Sequence, residues 1–340
     1  MKAVVWTKYG PPEVLMLREV PKPTPKDNDL LIRIHATTVT AGDCETRRMD
    51  FPFYLSLPMR LWLGLVRPKE GSILGTELAG VVEAVGKDVK RFNVGDKVFG
   101  AVGMALGTNA AYITLPEESG DSGEGVAVMP ANMSFEEAAT VPFGGRDALH
   151  FLRLGKVQAG QKILINGAGG SIGTFAVQLA KIMGAEVTAV DSAEKLDMLK
   201  AIGSDHVVDY TSEDFTKNDA VYDVIFDVVG TLSLSDSADS LRANGIYLLA
   251  NPLRGQMLRG PWHGWRSSQK VKMQTASGTV EDLVYLRELI EAGQLQTVID
   301  RSYPLEKIVE AHRYVETGAK QGNVVITISD GKDIQTGPET

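Results

Sequence analysis

Gly167-Ala168-Gly169-Gly170-Ser171-Ile172-Gly173 is the stretch of this 340-residue chain whose residue types and spacing speak most directly of chemistry. Read as Ala168-x-Gly170-x-x-Gly173, it is a variant of the dinucleotide-binding fingerprint with alanine in the first position. A pyrophosphate reaches backbone N–H groups only where no Cβ intrudes, and a helix N-terminus behind the turn adds donors and a positive dipole end. Gly173 would let that helix pack closely on the strand before it. Eighteen residues further on, Asp191 is placed to accept from the ribose 2′-hydroxyl of NAD and to repel the 2′-phosphate of NADP. Ser192 and Lys195 follow, and a hydroxyl plus an ammonium could hold that phosphate. In the plainer alternative Asp191 caps the next helix and Lys195 is solvated. The turn therefore predicts a nicotinamide cofactor and leaves NADPH and NADH both open.

Such a turn works only between a strand and a helix. Lys162–Asn166 is an apolar strand pattern, and Ile172–Met183 carries Ile172, Ala176, Leu179, Ala180 and Met183 at helical spacing. Further strands are expected at Glu186–Val190, His206–Asp209, Val221–Val228, Gly245–Ala250 and Lys270–Gln274, with a helix over Ala193–Ile202. Six strands with intervening helices predict an α/β fold with a Rossmann, doubly wound parallel sheet. The first ~125 residues are β-rich instead, with short Val/Ile runs between Gly, Pro and Asp turns, and Pro21, Pro23 and Pro25 mark an extended connector. Helices over Thr279–Ala292 and Leu305–Thr317 and a strand at Val324–Ile328 could fold back onto that first region, and the polar tail Ser329–Thr340 is expected to be mobile.

Other candidates are less clear-cut. Asp43 and Arg47, four apart, would meet as an ion pair on one helical turn. Residues 51–63 (FPFYLSLPMRLWL) are unusually apolar and read equally as a lid or wall for a hydrophobic substrate, with Tyr54 as a phenol donor, or as ordinary core. Pro261-Trp262-His263-Gly264-Trp265 reads as a loop that gates the pocket or simply packs. No Ser/His/Asp or Cys/His constellation and no paired carboxylates stand out. The five histidines lack ligand spacing, and the lone Cys44 excludes an intramolecular disulfide and any multi-cysteine zinc site. Acidic residues outnumber basic ones, 43 to 35, for a net charge of -8, which argues against a nucleic-acid partner. No window approaches the ~20 apolar residues of a spanning helix, the 51–63 segment has few basic residues for a membrane surface, and the N-terminus lacks a signal-peptide layout. A cytoplasmic protein without a membrane partner is expected.

Taken together, the chain resembles the medium-chain dehydrogenase/reductase superfamily, in its zinc-free quinone oxidoreductase (zeta-crystallin-like) branch. The matching stretches are Met1-Lys2-Ala3-Val4 with Gly10-Pro11-Pro12-Glu13-Val14-Leu15, Gly75-Thr76-Glu77-Leu78-Ala79-Gly80-Val81-Val82, Gly95-Asp96-Lys97-Val98-Phe99-Gly100, Ala138-Ala139-Thr140-Val141-Pro142 and Gly322-Asn323-Val324-Val325. They occur in family order and span about residues 1–328. The resemblance implies a GroES-like β-rich catalytic domain over 1–128, completed by 293–340, and a Rossmann nucleotide-binding domain over 129–292, with cofactor and substrate in the cleft between them and frequent dimers made by edge pairing of the two Rossmann sheets. It implies that Ser192, Lys195 and Tyr210 hold the phosphorylated adenosine end, which leans toward NADPH, although Asp191 stands where those members have a small uncharged residue. Val229 and Asn251 end strands where nicotinamide contacts fall, and Asn323 replaces a common basic residue. Arg146 and Asp147 replace a leucine and a threonine, the latter near the nicotinamide, and would bind a polar substrate group or pair with each other.

The zinc ligands of the superfamily's alcohol dehydrogenases fall here on Thr40, Thr76 and Phe143, none a good ligand, so no metal is expected. Without a Lewis acid, quinones and α,β-unsaturated carbonyls are the natural hydride acceptors. Alternatives are a zinc-free alcohol or carbonyl dehydrogenase and a nucleotide-binding protein without turnover. Asp43, Arg47, Tyr54, Arg146 and Asp147 are the residues expected beside a small-molecule substrate.

Overall fold

Leu30, Ile32 and Ile34 alternate with less buried neighbours along one strand and are themselves fully buried, as expected of a strand with one face on a core. In the computed structural model that strand belongs to the first of two units into which the chain divides, residues 1–143, 279–291 and 299–340; the second comprises 144–278 and 292–298. The structure describes residues 1–118, 124–215, 221–233, 237, 239–251 and 269–329.

In the first unit, β1 (Lys2–Trp6) and β2 (Leu15–Glu19) form an antiparallel pair. A seven-stranded sheet contains β3 (Asp29–Thr38), β4 (Glu77–Val85), β5 (Lys97–Ala101), β6 (Tyr112–Pro116) and β7 (Gly125–Val128), joined by β14 (Ile299–Pro304) and β15 (Asn323–Thr327). Its order is β14-β15-β3-β4-β5-β7, with β6 also on β3. The last two strands show that the C-terminal part of the chain does return to the first region. One core holds Trp6, Ile32, Leu78 and Val98 together with Val315, Val324 and Ile326. The turn before β5 uses Gly95 at φ 98, a left-handed conformation that glycine adopts without steric cost. Three helices follow β3 and β7: α1 (Ala41–Arg48), α2 (Phe53–Leu63) and α3 (Phe135–Ala139).

The second unit is built on β8 (Lys162–Asn166), β9 (Glu186–Asp191), β10 (His206–Asp209), β11 (Tyr222–Asp227), β12 (Leu241–Leu249) and β13 (Lys270–Met273). All five pairings are parallel, in the order β10-β9-β8-β11-β12-β13. That is the doubly wound order, with its reversal between β8 and β11. Ile163, Leu164 and Ile165 are all fully buried because a parallel sheet is covered on both faces. Helix α4 (Val141–Leu154) enters this unit, and α5 (Ser171–Ile182) and α6 (Leu196–Ala201) connect its strands. Strand β12 starts at Leu241, four residues before the expected Gly245. Tyr222 pairs with Leu241, the register then shifts, and Asn244 takes φ 65, so an irregular start hides the strand from pattern reading. Back in the first unit, α7 (Val280–Glu291) and α8 (Ile308–Glu316) match the expected helices to within a turn. The Pro261–Trp265 loop and the tail beyond residue 329 lie outside the described residues.

Candidate active site

The glycine turn links β8 to α5 at the C-terminal edge of the parallel sheet, beside the point where strand order reverses. Ligands of open α/β sheets bind at this place. Its glycines are there for different reasons. Gly167 sits at φ 79, and a side chain on it would strike Val229. One on Gly173 would strike the backbone of Gly167 and Ala168, so that glycine lets α5 close on the turn. Ala168 is fully buried, and its N–H, like that of Gly167, donates to the Val190 carbonyl. Gly170 is different. Its φ of -89 and ψ of -178 suit any residue, and the nearest atom to a built Cβ is the Gly167 carbonyl oxygen at 3.6 Å. Among the described residues nothing requires a glycine there. Gly170 is the N-cap of α5 and supplies no side-chain cap. The opening N–H groups of Ser171, Ile172 and Gly173 have no acceptor within the helix, the arrangement that suits a phosphate.

Asp191, at the end of β9, faces this turn. Its Oδ2 accepts from the Gly169 N–H at 2.8 Å, and its Oδ1 accepts from the Ser192 N–H at 2.9 Å and pairs with Lys195 Nζ at 3.0 Å. Both side chains of the ion pair are buried. The plainer alternative is thereby overturned: Lys195 is not solvated, and Asp191 closes the turn against β9 rather than merely capping a helix. The Ser192 hydroxyl donates to Glu194 at 3.3 Å, and the Tyr210 ring is exposed, with its N–H on the Asp191 carbonyl at 3.2 Å.

Two buried carboxylates that the sequence reading did not single out stand out, one in each unit. Glu77, on β4 of the first unit, accepts from the Thr38 hydroxyl and, at 2.8 Å, from the Phe143 N–H in the first turn of α4. An acid in that position also stabilises the helix dipole. Asp227, fully buried at the end of β11, accepts from Asn166 Nδ2 at 2.9 Å, the Gly230 N–H at 2.8 Å, the Leu232 N–H at 3.1 Å and the Tyr247 hydroxyl at 2.8 Å. This ties the ends of three strands to the loop that carries Val229, half of whose surface is exposed. Their signal in sequence is an acid at a strand end or beside small residues, which is too common to stand out.

On α4, Gly144 packs so tightly that a side chain there would come within 2.7 Å of the Ser171 carbonyl oxygen. Arg146 is buried and donates to the Gly278 carbonyl. Asp147 is half-buried beside the Arg146 guanidinium; burial pushes its carboxyl up to about 7, against the pull of that guanidinium. Asn251 is exposed just beyond β12.

The remaining expected residues belong to the first unit. Asp43 and Arg47 do share a turn of α1, but they do not pair. The Asp43 Oδ2 accepts from the Thr40 N–H at 2.8 Å and hydroxyl at 2.7 Å, closing a capping box. An acid at the third helical position bends back to the N-cap, and those donors outcompete a guanidinium one turn ahead. Arg47 instead donates to the Gly10 carbonyl at 3.0 Å and pairs with Glu316. Both side chains are buried, which raises the Asp43 carboxyl rather than leaving it exposed and ordinary. Asn323 is buried at the start of β15. The 51–63 segment is helix α2, and the core reading fails for most of it: Phe53 is 76% exposed and Leu61 65%, while Leu63 is buried and Met59 packs on the core. Tyr54 is exposed on its first turn.

The donors present do not suit zinc. The Thr40 hydroxyl is engaged in capping α1, Phe143 offers no donor, and Cys44 lies buried against His312 Nδ1 at 3.3 Å with its thiol pushed up to about 12 by burial. Among the described residues no group of three His, Cys, Asp or Glu converges. The bare turn at Gly170 and the uncapped start of α5, by contrast, fit the diphosphate of a nicotinamide dinucleotide.

Known proteins bear on this geometry. Residues 26–142 match the alcohol dehydrogenase GroES-like domain family, and residues 202–326 match the zinc-binding dehydrogenase family. A 2-methylene-furan-3-one reductase of Solanum lycopersicum is 33% identical over 333 residues, covering 96% of this chain and 79% of the relative. An NADPH-dependent alkenal/one oxidoreductase, chloroplastic, of Arabidopsis thaliana is 32% identical over 334 residues, with the same coverage of 96% and 79%. The quinone oxidoreductase from Coxiella burnetii superposes with a TM-score of 0.85 at 29% identity, covering 97% of this chain and 99% of its own. The Escherichia coli quinone oxidoreductase complexed with NADPH superposes with a TM-score of 0.80 at 26% identity, covering 96% and 100%.

Proposed function

The chain belongs to the medium-chain dehydrogenase/reductase superfamily, in its zinc-free quinone oxidoreductase branch, and from that premise we propose that it is an NAD(P)H-dependent reductase of quinones, enones or related activated carbonyls. Bound NAD(P)H supplies the hydride. Gly170 leaves room for the diphosphate, the opening N–H groups of α5 donate to it, and the Asp227 network holds the Val229 loop beside it. No step is assigned to zinc. The observation that carries this reading is Gly170, a glycine that the fold does not need and a ligand does.

The Asp191–Lys195 pair bears on cofactor choice. A 2′-phosphate must compete with Asp191 for the one ammonium, while a ribose 2′-hydroxyl can add to a carboxylate already in place. We take the enzyme to accept both nucleotides, with Asp191 restraining NADPH. Asp43 and Arg47 act by holding α1, while Tyr54 and the exposed apolar face of α2 are the surface that the first unit offers to a hydrophobic acceptor. A homodimer through the β13 edge and a cytoplasmic location complete the proposal; a single buried thiol suits a reducing compartment.

Purified protein mixed with NADH or NADPH and a panel of small quinones and enones is expected to oxidise the cofactor. Gly170→Val should weaken both nucleotides by about tenfold or more (about 1.4 kcal/mol) without lowering Tm. Tight nucleotide binding with no oxidation across the panel would overturn the reductase reading, and unchanged affinity in Gly170→Val would overturn the placement of the diphosphate.

A further inference from the structure

Helix α2 and residues 64–69 expose more apolar surface than one small acceptor would cover. Among the described residues, eight of the fifteen exposed large apolar side chains lie between Phe53 and Val66, so they form a concentrated patch rather than the usual scatter. Phe53, Leu57 and Leu61 recur every four residues and share one side of α2, while Met59 and Leu63 pack on the core from the other. Trp62, Leu65 and Val66 extend the exposed apolar run past the helix end, Val66 being 86% exposed. There the chain turns back on itself. The Leu63 carbonyl accepts from the Lys69 N–H at 2.8 Å, and a side chain on Gly64, at φ 134, would strike the Arg67 carbonyl. That turn keeps Arg67 and Lys69, both exposed, at the C-terminal end of α2.

Charge sets this patch apart from the rest of the molecule. The chain as a whole carries a net charge of -8, yet from Phe51 to Lys69 it has no acidic residue and three basic ones, Arg60, Arg67 and Lys69. Asp50 and Glu70 bound the stretch, and Asp50 lies against Arg48 at 3.8 Å. Within 51–63 Arg60 is the one basic residue, which is why the sequence pointed away from a membrane surface. The turn at Gly64 brings two more cations to the end of the helix.

We propose that α2 and the turn after it form a docking surface for an anionic lipid bilayer. The helix lies in the plane of the interface, with Phe53, Leu57, Leu61, Leu65 and Val66 at the acyl boundary and Trp62 at headgroup level. Arg67 and Lys69 meet the lipid phosphates, each contributing about fivefold to binding. A second copy fits this face less well, because a two-fold contact would bring the same cations together with no acid in the patch to pair them. The docking goes beyond the reductase reading and stands without it, since no nucleotide takes part.

The test is co-sedimentation of the full chain, without nucleotide, with vesicles of phosphatidylserine and phosphatidylcholine in equal parts, and with vesicles of phosphatidylcholine alone. Wild type is expected to bind the anionic vesicles at low salt, to bind phosphatidylcholine more weakly, and to be released as salt rises. Arg67→Gln with Lys69→Gln should weaken binding on the order of twenty-five-fold, and Leu61→Glu with Val66→Glu should abolish it, with Tm unchanged in both. Binding should also shift tryptophan emission to the blue in wild type, and less so in Trp62→Phe. No binding to anionic vesicles would overturn the proposal, and so would undiminished binding in the Leu61→Glu, Val66→Glu variant. Equal binding to phosphatidylcholine alone would overturn the choice of an anionic lipid. A fall in oligomer mass in the Leu61→Glu, Val66→Glu variant, read by light scattering, would give the face to a second copy instead. Quinone and enone reduction with NAD(P)H in the absence of vesicles tests the reductase reading separately.

Discussion

The carboxylate of Asp191 illustrates how a correct residue choice can carry an incomplete role. Its position at the end of β9 follows from spacing, but its three partners come from the turn, from Ser192 and from Lys195. Charge balance then sets the expected phenotype. Asp191→Gly removes the carboxylate that pairs with Lys195 and would repel a 2′-phosphate, and should shift preference toward NADPH by about tenfold, while Lys195→Ala should weaken NADPH more than NADH. Kd values for both nucleotides check this, and unchanged affinities in both variants would place the ribose end elsewhere. Asp43 and Arg47 teach the complementary lesson. Spacing of four brought them onto one helical turn, yet Thr40 donors and Glu316 took them as partners, because a side chain chooses the nearest well-aligned group whatever its sequence distance.

Among the elements, β8 and α5 were legible because one backbone period and one face decide them. Continuous apolar residues mark a strand buried on both sides, and a 3.6-residue repeat marks the helix that follows. Helix α2 was not legible in that way. It is apolar but for Ser56 and Arg60, so no clear periodicity distinguishes an inward from an outward face. The fold chooses Met59 and Leu63 for the core and leaves Phe53, Leu57 and Leu61 outside, with Arg60 over the Tyr9 ring at 4.7 Å and donating to the Leu65 carbonyl at 3.0 Å. In urea unfolding, Leu63→Ala is expected to cost about 2–3 kcal/mol and Leu61→Glu less than about 0.5 kcal/mol. A large cost at Leu61 would mean that its outer face is covered in the folded protein.

For the whole molecule, the six-stranded sheet ends at β13, which among the described residues has a strand neighbour on one side only. An open edge presents unpaired donors and acceptors to a second copy. Light scattering should give twice the chain mass. Neighbouring residues on a strand direct their N–H groups to opposite sides, so one of Val271→Pro and Lys272→Pro removes an outward donor and the other an inward one. One variant is expected to dissociate the dimer with little loss of Tm, and the other to destabilise the sheet; a monomeric wild type would overturn the dimer.

The amino-acid order by itself determined the fold class, the glycine turn and the strands that frame it, because these depend on local periods and on glycine where the backbone must be bare. Only the tertiary structure decided that Gly170, rather than its neighbours, is the glycine the fold can spare, that Asp227 anchors the Val229 loop from a buried position, and which face of α2 lies outside. The reason is physical. Hydrogen bonding and burial are settled by whatever comes within a few ångströms in space, and for Arg47 and Glu316 that neighbour lies 269 residues away along the chain.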